Sequence, residues 1–307
     1  MMKPILCIAG PTASGKSSWA LNLAKKFDGE IVNADALQVY QQLQILSARP
    51  TRDEMGGIPH HMYGHIDAGH RYSTGEWLRE VDRVIIDILA SEKTPILVGG
   101  TGLYFKALTE GLAKIPTPAK SGSDEAQSIL DTRGITALRE KAENLDPEAA
   151  SRVLGNDPQR LLRIVSVAIG TEKPLSAWQS STKPVIPNKF WRGAVLLPDR
   201  AQLYQKIDDR FADMIRGGGL DEAKRLHALS LDPMLPSMKA IGVRELIGHL
   251  NGEYSLDEAI DKAARETRRF AKRQYTWLRG QMPTWSRVIS QEDRDTAFAD
   301  SFVYPQH

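Results

Sequence analysis

Short apolar runs alternate with amphipathic stretches over the first third of the chain. Residues 4–10, 29–35 and 94–100 are apolar runs of strand length that end in glycine or aspartate. Between them, the apolar positions of residues 16–27 and 73–93 recur at intervals of three and four, which predicts helices. Strands that alternate with helices predict an α/β fold with a parallel, doubly wound sheet.

The pattern changes near residue 112, where a segment rich in Pro, Ser, Ala and Gly begins. Residues 113–189 contain helical periodicity and no strand, so we expect an inserted all-helical domain. An apolar strand returns after it, which predicts that residues 1–112 and 190–285 form one P-loop core. We make no structural prediction for residues 286–307, which we treat as a C-terminal tail.

Composition narrows the class of protein. The chain has 307 residues, of which 41% are hydrophobic and 25% charged, with a net charge of +2. No apolar run reaches the ~18 residues that a membrane span needs, and we interpret the N-terminal run as a core strand, not a signal peptide. Cys7 is the single cysteine, so no intrachain disulfide forms. We therefore expect a cytoplasmic protein without a membrane partner, and a monomer.

The sequence GPTASGKS at residues 10–17 matches the phosphate-binding loop G-x-x-x-x-G-K-[ST]. A predicted strand precedes it and a predicted helix follows, which is the context that this motif requires. Backbone N–H groups around Gly15 would face an anion at the helix N-terminus. Lys16 would add a positive charge, and the Ser17 hydroxyl would bind Mg²⁺.

Two further predicted strands end beside this loop. Asp35 closes the second strand, where a carboxylate can accept a proton or help to order Mg²⁺. The third strand ends in Gly99, Gly100 and Thr101, where a typical NTPase carries a metal-binding aspartate. That difference weakens an ATPase assignment, although a small-metabolite kinase stays open. A solvated turn aspartate is the alternative for Asp35.

Four histidines, His60, His61, His65 and His70, cluster in one predicted loop. A metal site is one interpretation. Because no nearby cysteine or well-spaced acid completes a ligand set, we favour an ordinary loop or a substrate lid.

A basic helix is predicted from about residue 255 to residue 280. Its apolar positions form one stripe, and most of its cations fall on the other side, as suits a nucleic-acid backbone. The alternative is a solvated helix face. The cations of this segment are Lys262, Arg265, Arg268, Arg269, Lys272, Arg273 and Arg279.

Two smaller cationic features lie elsewhere. Gln159, Arg160 and Arg163 share one face of a helix that is predicted to begin at Pro158 and to end at Gly170. Arg210 lies on the helix after the returning strand and could reach the predicted crevice. A surface arginine paired with a neighbouring aspartate is its alternative.

Taken together, these motifs resemble the tRNA dimethylallyltransferase family. The resemblance implies transfer of a dimethylallyl group from its diphosphate to N6 of adenosine 37 in tRNAs that read codons starting with U. The sequence departs from the family pattern at Ala36, Ser123 and Val243. The matching stretches are GPTASGKS (10–17), NADALQVY (33–40), ILVGGTGLYFKAL (96–108), NDPQRLLR (156–163), QKIDDRFADMI (205–215), LPSMKAIGVREL (235–246) and RRFAKRQYTWLRG (268–280).

The resemblance also implies site residues, with Mg²⁺ as cofactor and the tRNA anticodon stem-loop and dimethylallyl diphosphate as partners. The implied catalytic residues are Asp35, Lys16, Arg210 and Thr101. The implied diphosphate ligands are Gly10, Thr12, Ala13, Ser14, Gly15, Lys16, Ser17 and Arg210, with Ser17 on the metal. The implied tRNA contacts are Asp35, Ala36, Leu37, Gln38, Thr101, Gln159, Arg160, Arg163, Lys239, Arg244, Arg268, Lys272, Arg273 and Arg279.

Two other functions compete with this hypothesis. A P-loop kinase of a small metabolite would bind and use ATP, and the basic patches and helical insertion argue against it. A non-catalytic RNA-binding protein with a relict loop would not need an intact Gly-Lys-Ser, Asp35 and Thr101. The sequence therefore favours the prenyl transferase.

Overall fold

The computed structural model describes residues 3–299 of the chain. Six strands form one sheet in which every neighbouring pair is parallel. The strands are β1 (Ile5–Ala9), β2 (Gly29–Asn33), β3 (His60–His61), β4 (Thr94–Gly99), β5 (Trp191–Leu196) and β6 (Ser286–Val288). Their order across the sheet is β3-β2-β4-β1-β5-β6, which confirms the predicted parallel α/β fold.

Helices connect the strands and make up the rest of the regular structure. Within residues 3–299, no helix is long and apolar enough to cross a membrane. The helices are α1 (Lys16–Phe27), α2 (Thr74–Ala90), α3 (Gly102–Thr109), α4 (Lys120–Leu145), α5 (Pro147–Ser151), α6 (Pro158–Thr171), α7 (Leu175–Gln179), α8 (Arg200–Arg216), α9 (Gly219–Ala228), α10 (Val243–Leu250), α11 (Leu256–Gln281) and α12 (Gln291–Thr296).

The chain divides into two compact units. The larger unit takes the residues up to Thr109 and from Ile186 onward, and it contains the whole sheet. The smaller unit, Glu110–Val185, consists of α4 to α7. It begins and ends a few residues before the limits that we expected for the helical insertion.

The core beside the phosphate loop is built from β1 and α1. Leu6 and Ile8 on β1 are fully buried, and Trp19 and Leu23 on α1 pack against them. Burying each large side chain of this kind contributes about 1.5–3 kcal/mol. Phe298 joins the cluster by stacking on Trp19 at a ring-centroid distance of 5.4 Å. The helix that carries the loop is therefore fixed along its length.

In the smaller unit, Gly170 lies where α6 packs against the segment before α4. We predicted that α6 ends at Gly170, but it continues to Thr171, and Glu172 takes the left-handed conformation at φ 54°. A Cβ at Gly170 would lie 2.6 Å from Pro118 and 2.8 Å from the backbone of Ala119. Gly170 is therefore needed for close packing against the segment before α4, and it does not terminate the helix.

The structure contains two strands that sequence analysis did not predict. The edge strand β3 pairs with β2 through only two residues, and β6 pairs with β5 through three. Runs this short carry too few positions to establish a period of two. The predicted tail, residues 286–307, therefore includes β6 and also α12. Its residues 300–307 lie outside the described part.

Candidate active site

The carboxyl ends of β1, β2 and β4 meet at one edge of the sheet, as doubly wound folds require of a ligand site. A cleft of about 490 Å³ opens there. The phosphate loop forms one wall, and Asp35 and Arg210 face it. The three predicted loops do converge, but Thr101 does not line the cleft itself.

The phosphate loop has the backbone that its sequence predicts. Gly15 has φ 82°, which glycine adopts at little cost, and α1 begins at the next residue. Ala13 also has a positive φ, 61°. The Ser14 N–H donates to the Pro11 carbonyl at 3.3 Å, which closes the turn. An anion in the cleft would therefore meet the N-terminus of α1.

Lys16 extends along this loop toward the cleft. Its Nζ donates to the Pro11 carbonyl at 3.2 Å. Burial lowers the pKa of the Lys16 ammonium to about 8, and the nearby Asp35 carboxylate partly opposes that shift while Arg210 adds to it. A buried ammonium of this kind is stabilised by an anion, because a negative partner offsets its lost hydration.

Arg210 reaches the cleft from α8. Its guanidinium lies 3.5 Å from Thr12 Oγ1 and 3.5 Å from the Ala48 carbonyl oxygen. The neighbouring aspartates are engaged elsewhere, since Asp208 pairs with Arg268. Burial lowers the pKa of Arg210, while Asp35 and Glu54 act in the opposite direction. Arginine nonetheless stays charged in proteins, so Lys16 and Arg210 place two positive charges in the cleft that Asp35 and Glu54 also line.

The backbone around Asp35 is held by Asn33, which is fully buried. Asn33 Oδ1 accepts from the Asp35 N–H at 2.9 Å, and Asn33 Nδ2 donates to the Asp35 carbonyl at 3.0 Å. Asp35 Oδ1 accepts from the Leu37 N–H at 3.0 Å. One carboxylate oxygen therefore stabilises the turn, while Asp35 also lines the cleft.

Thr101 supports the same turn from β4. Its Oγ1 accepts from the Ala36 N–H at 2.9 Å, and its own N–H donates to the Ala34 carbonyl at 3.2 Å. In this structure Thr101 thus contacts the residue next to Asp35. A direct catalytic or tRNA contact by Thr101 stays a prediction.

Comparison with known proteins decides the family. A family model described as IPP transferase matches residues 38–281, and one described as isopentenyl transferase matches residues 3–64. The chain is 49% identical to a tRNA dimethylallyltransferase of Caulobacter sp. (strain K31), with 92% of each chain covered. It is 48% identical to that of Maricaulis maris (strain MCS10), with 99% of each covered.

The chain belongs to the IPP transferase family. A solved tRNA isopentenylpyrophosphate transferase from Bacillus halodurans matches with a TM-score of 0.68 and 31% identity, covering 95% of this chain and 93% of that one. A eukaryotic dimethylallyltransferase, described as acting on tRNA, matches with a TM-score of 0.80 and 27% identity, covering 96% and 76%. The predicted resemblance is thereby confirmed.

Within this IPP transferase fold, most of the predicted diphosphate ligands line the cleft, but Gly10 does not. Thr12, Ala13, Gly15, Lys16 and Ser17 line the cleft. Ser14 lines it too, although it is only 3% exposed. Gly10 is buried, and a Cβ there would lie 2.7 Å from Ser14 Oγ. Gly10 therefore makes room beneath the loop, and we no longer expect it to contact the ligand.

The residues after Asp35 hold the cleft wall. Gln38 Nε2 donates to the carbonyls of Ser47 at 3.1 Å and Ala48 at 2.9 Å. Glu222, only 3% exposed, accepts from the N–H groups of residues 44, 45 and 46, each at 2.9 Å. The loop that presents Ala48 to Arg210 is thus fixed from two sides.

Most of the cations that we predicted to contact tRNA in the larger unit are exposed, whereas Asp35, Ala36, Leu37, Gln38 and Thr101 are half-buried at or behind the cleft wall. Lys239 and Arg244 line a second cleft of about 1140 Å³. Lys272, Arg273 and Arg279 are exposed on α11. Arg268 differs from these residues because it forms an ion pair with Asp208 of α8. The prediction for Arg268 is therefore weakened, since part of its charge is already neutralised.

The smaller unit gathers its predicted contacts in one place. Gln159, Arg160 and Arg163 line a pocket of about 310 Å³ whose floor includes Val153 and Ile164. Arg160 also approaches Asp157 at 3.4 Å. A polar and cationic rim over an apolar floor can accommodate a flat base next to a phosphate.

The histidine cluster has ordinary partners. His61, His65 and His70 each contact a different glutamate, at 2.6, 2.9 and 2.7 Å. His60 contacts the Ile58 carbonyl at 2.8 Å. Among residues 3–299, no group of three or more His, Cys, Asp and Glu could hold a metal ion. His60 and His61 form strand β3, so the predicted loop is wrong for these two residues, whereas His65 and His70 lie between β3 and α2.

Sequence reasoning missed three polar side chains near the phosphate loop. Lys206, one turn before Arg210 on α8, lines the cleft. Arg294 of α12 donates to the Ser14 carbonyl at 3.4 Å. Gln274 of α11 accepts from the Thr12 N–H at 2.9 Å. Helical spacing from Arg210 could have indicated Lys206, but no local signal connects Gln274 or Arg294 with a loop more than 250 residues away.

Proposed function

We propose that this protein transfers a dimethylallyl group from dimethylallyl diphosphate to N6 of adenosine 37 in tRNAs that read codons starting with U. Membership of the IPP transferase family supports the reaction class. The observation that carries the chemistry is that two half-buried cations, Lys16 and Arg210, line the phosphate-loop cleft together with Asp35.

Lys16 and Arg210 suit a reaction in which diphosphate is the leaving group. When the allylic C–O bond breaks, its electron pair leaves with the diphosphate, and the carbon gains cationic character. Lys16, Arg210 and the N–H groups of the loop stabilise the negative charge that develops. Their low-dielectric surroundings strengthen this effect. A diphosphate also fits a phosphate loop without any requirement for a nucleoside.

Asp35 suits a reaction in which the nucleophile must lose a proton. The exocyclic amine of adenine is a weak nucleophile, and its proton must leave as the C–N bond forms. The Asp35 carboxylate accepts that proton as general base. The adenine must first leave its stack, at a cost of about a few kcal/mol, and contacts with the rest of the tRNA offset that cost.

Mg²⁺ fits the donor set of the cleft. The Ser17 hydroxyl and the Asp35 carboxylate line it, and Mg²⁺ prefers oxygen ligands. Ser17 would hold the ion at the start of α1, with Asp35 available through its carboxylate. A bound Mg²⁺ would supply additional positive charge to the departing diphosphate.

The tRNA would be bound by the exposed cations. Lys272, Arg273 and Arg279 on α11 suit phosphates, as do Lys239 and Arg244 at the second cleft. Gln159, Arg160 and Arg163 of the smaller unit supply hydrogen-bond donors that suit the anticodon loop. A tRNA substrate also supports a cytoplasmic location for the protein.

One experiment tests the proposal against its rivals. The protein is incubated with tRNA, Mg²⁺ and either dimethylallyl diphosphate or ATP, and the digested nucleosides are weighed. We expect adenosine that gains C5H8 with the prenyl donor and no phosphorylated product with ATP. A phosphorylated small metabolite would indicate the kinase, and RNA binding without any product would indicate a binding protein.

A further inference from the structure

Gln274 lies between the phosphate loop and the loop that follows β4. It is on α11 and is only 8% exposed. Its Oε1 accepts from the Thr12 N–H of the phosphate loop at 2.9 Å. Its Nε2 donates to the Gly100 carbonyl after β4 at 2.9 Å. The orientation of the amide is fixed by chemistry, because the reversed amide would place a donor against the Thr12 N–H.

The side chains of α11 around Gln274 pack closely against the glycines after β4. A Cβ on Gly100 would overlap Gln274 Nε2 and would lie 3.4 Å from Asp35 Oδ2. The Gln274 amide and the Asp35 carboxylate thus lie on either side of the same glycine. One turn further along α11, a Cβ on Gly102 would overlap the Trp277 ring. The helix therefore packs directly on the Gly-Gly-Thr-Gly segment.

We propose that Gln274 is a positioning residue, which fixes the distance between the phosphate loop and Asp35. This inference rests on the proposed function. The loop holds the leaving group and Asp35 receives the proton, so both must be aligned with one reacting carbon. The connection runs from Thr12 through Gln274 to Gly100, and from the adjacent Thr101 to the Ala36 N–H.

Packing alone does not explain this side chain. Its neighbours on the buried face of α11, Ala271 and Leu278, are apolar. A buried amide is costly unless its groups are hydrogen-bonded, and here the Gln274 amide bonds both the Thr12 N–H and the Gly100 carbonyl, which an apolar residue of the same size could not do. Both hydrogen bonds of Gln274 lead away from its own helix to loops of the cleft, which is where a displacement of about 1 Å can cost roughly 10²-fold in rate.

The first test is Gln274→Met, which keeps the volume of the side chain and removes both hydrogen bonds. We expect kcat to fall roughly 10²-fold, and the binding of inorganic diphosphate with Mg²⁺ to weaken. Filter binding of tRNA should change less than about threefold, because the cations of α11 remain. Gln281→Met is the matched control, since Gln281 is an exposed residue of the same helix that contacts Lys106.

The second test is Gln274→Glu, followed over pH. A protonated glutamic acid has the shape of glutamine, accepts from Thr12 and donates to Gly100, whereas the carboxylate loses the donor. Burial raises the pKa of a carboxyl group. The ratio of its kcat to that of the parent should therefore rise as pH falls. Because a buried carboxylate also destabilises the fold as pH rises, the folded fraction is measured at each pH and kcat is expressed per folded protein. A purely structural defect would leave this corrected ratio flat, so this profile decides the case even if Gln274→Met folds poorly.

The outcomes separate the two proposals. If the parent protein does not prenylate tRNA, the proposed function is wrong. If the parent is active while Gln274→Met retains the parent kcat, the positioning role is wrong. The role is equally wrong if the loss matches the folded fraction and the Gln274→Glu ratio does not vary with pH.

Discussion

The cations of the phosphate-loop cleft and those on the outer face of α11 have the same charge but different surroundings. Lys16 and Arg210 are held by the Pro11 and Ala48 carbonyls, and burial lowers the pKa of both. Lys272 and Arg273 are exposed to solvent. A half-buried cation that is hydrogen-bonded to backbone carbonyls is restricted in position and gains from an anion, whereas a fully exposed one is freer to move and is screened by salt.

This difference predicts a division of labour. The cleft should act on one defined group through a few irreplaceable residues. The exposed face should bind a polyanion through contacts that are individually weak and partly interchangeable. Variants in the cleft should therefore change turnover by orders of magnitude, and variants on α11 should change affinity by small factors.

The largest effect is expected at Asp35. Asp35→Asn retains an oxygen that can accept from the Leu37 N–H, so the turn should keep its shape. It removes the general base, which typically costs ~10²–10⁴-fold in rate. Steady-state kcat and tRNA filter binding are measured, with Asp87→Asn on the exposed side of α2 as control. Turnover within threefold of the parent would exclude the role.

The next largest effect is expected for the two cleft cations. Lys16→Ala and Arg210→Ala should each lower kcat by ~10²–10³-fold, as for the loss of one group that stabilises a developing anion. Diphosphate binding should weaken, and tRNA binding should stay near that of the parent. Arg216→Ala, on the exposed end of α8, is the matched control. A selective rise in the KM for tRNA would place Arg210 outside the diphosphate site.

The pH dependence of ligand binding tests the burial of Lys16 directly. Its pKa in the free protein is about 8, and a bound diphosphate would raise that value. Binding therefore takes up a proton above pH 8, and affinity should fall about tenfold per pH unit between the free and bound pKa values. Calorimetry with inorganic diphosphate and Mg²⁺ measures this trend.

The matched variant for this titration is Lys16→Met, which lacks the titrating group. Subtracting the pH profile of the variant's affinity from that of the parent removes the contribution of the ligand's own ionisation. If the two profiles run parallel from about pH 7 to about pH 9.5, diphosphate binding is not linked to a lowered pKa of Lys16.

The cleft could be predicted from sequence because its parts are local. The phosphate loop is a continuous motif between a strand and a helix, and Asp35 ends the next apolar run. Periodicity likewise placed α2 within a few residues. The support that Asn33 gives to Asp35 was not predicted, because its hydrogen bonds depend on the turn that follows β2.

Tertiary contacts could not be predicted in the same way. Gln274 and Arg294 meet the phosphate loop only because α11 and α12 pack beside it. Arg268 has the sequence pattern of an exposed cation, and its pair with Asp208 depends on how α8 and α11 lie together. The face of a helix follows from its period, but the partner of that face requires the fold.

The smallest effect, and the one that tests the exposed face, concerns salt. The Lys272→Ala/Arg273→Ala double variant should weaken all tRNAs alike and flatten the slope of log K against log salt by about one unit per lost phosphate contact. Arg268→Ala should flatten it less, because Asp208 already neutralises that guanidinium. Filter binding over a salt series, with Arg216→Ala as control, measures all three. If Arg268→Ala flattens the slope more than the double variant, the tRNA displaces the ion pair with Asp208. Arg268 would then have to be counted among the cations that bind tRNA phosphates.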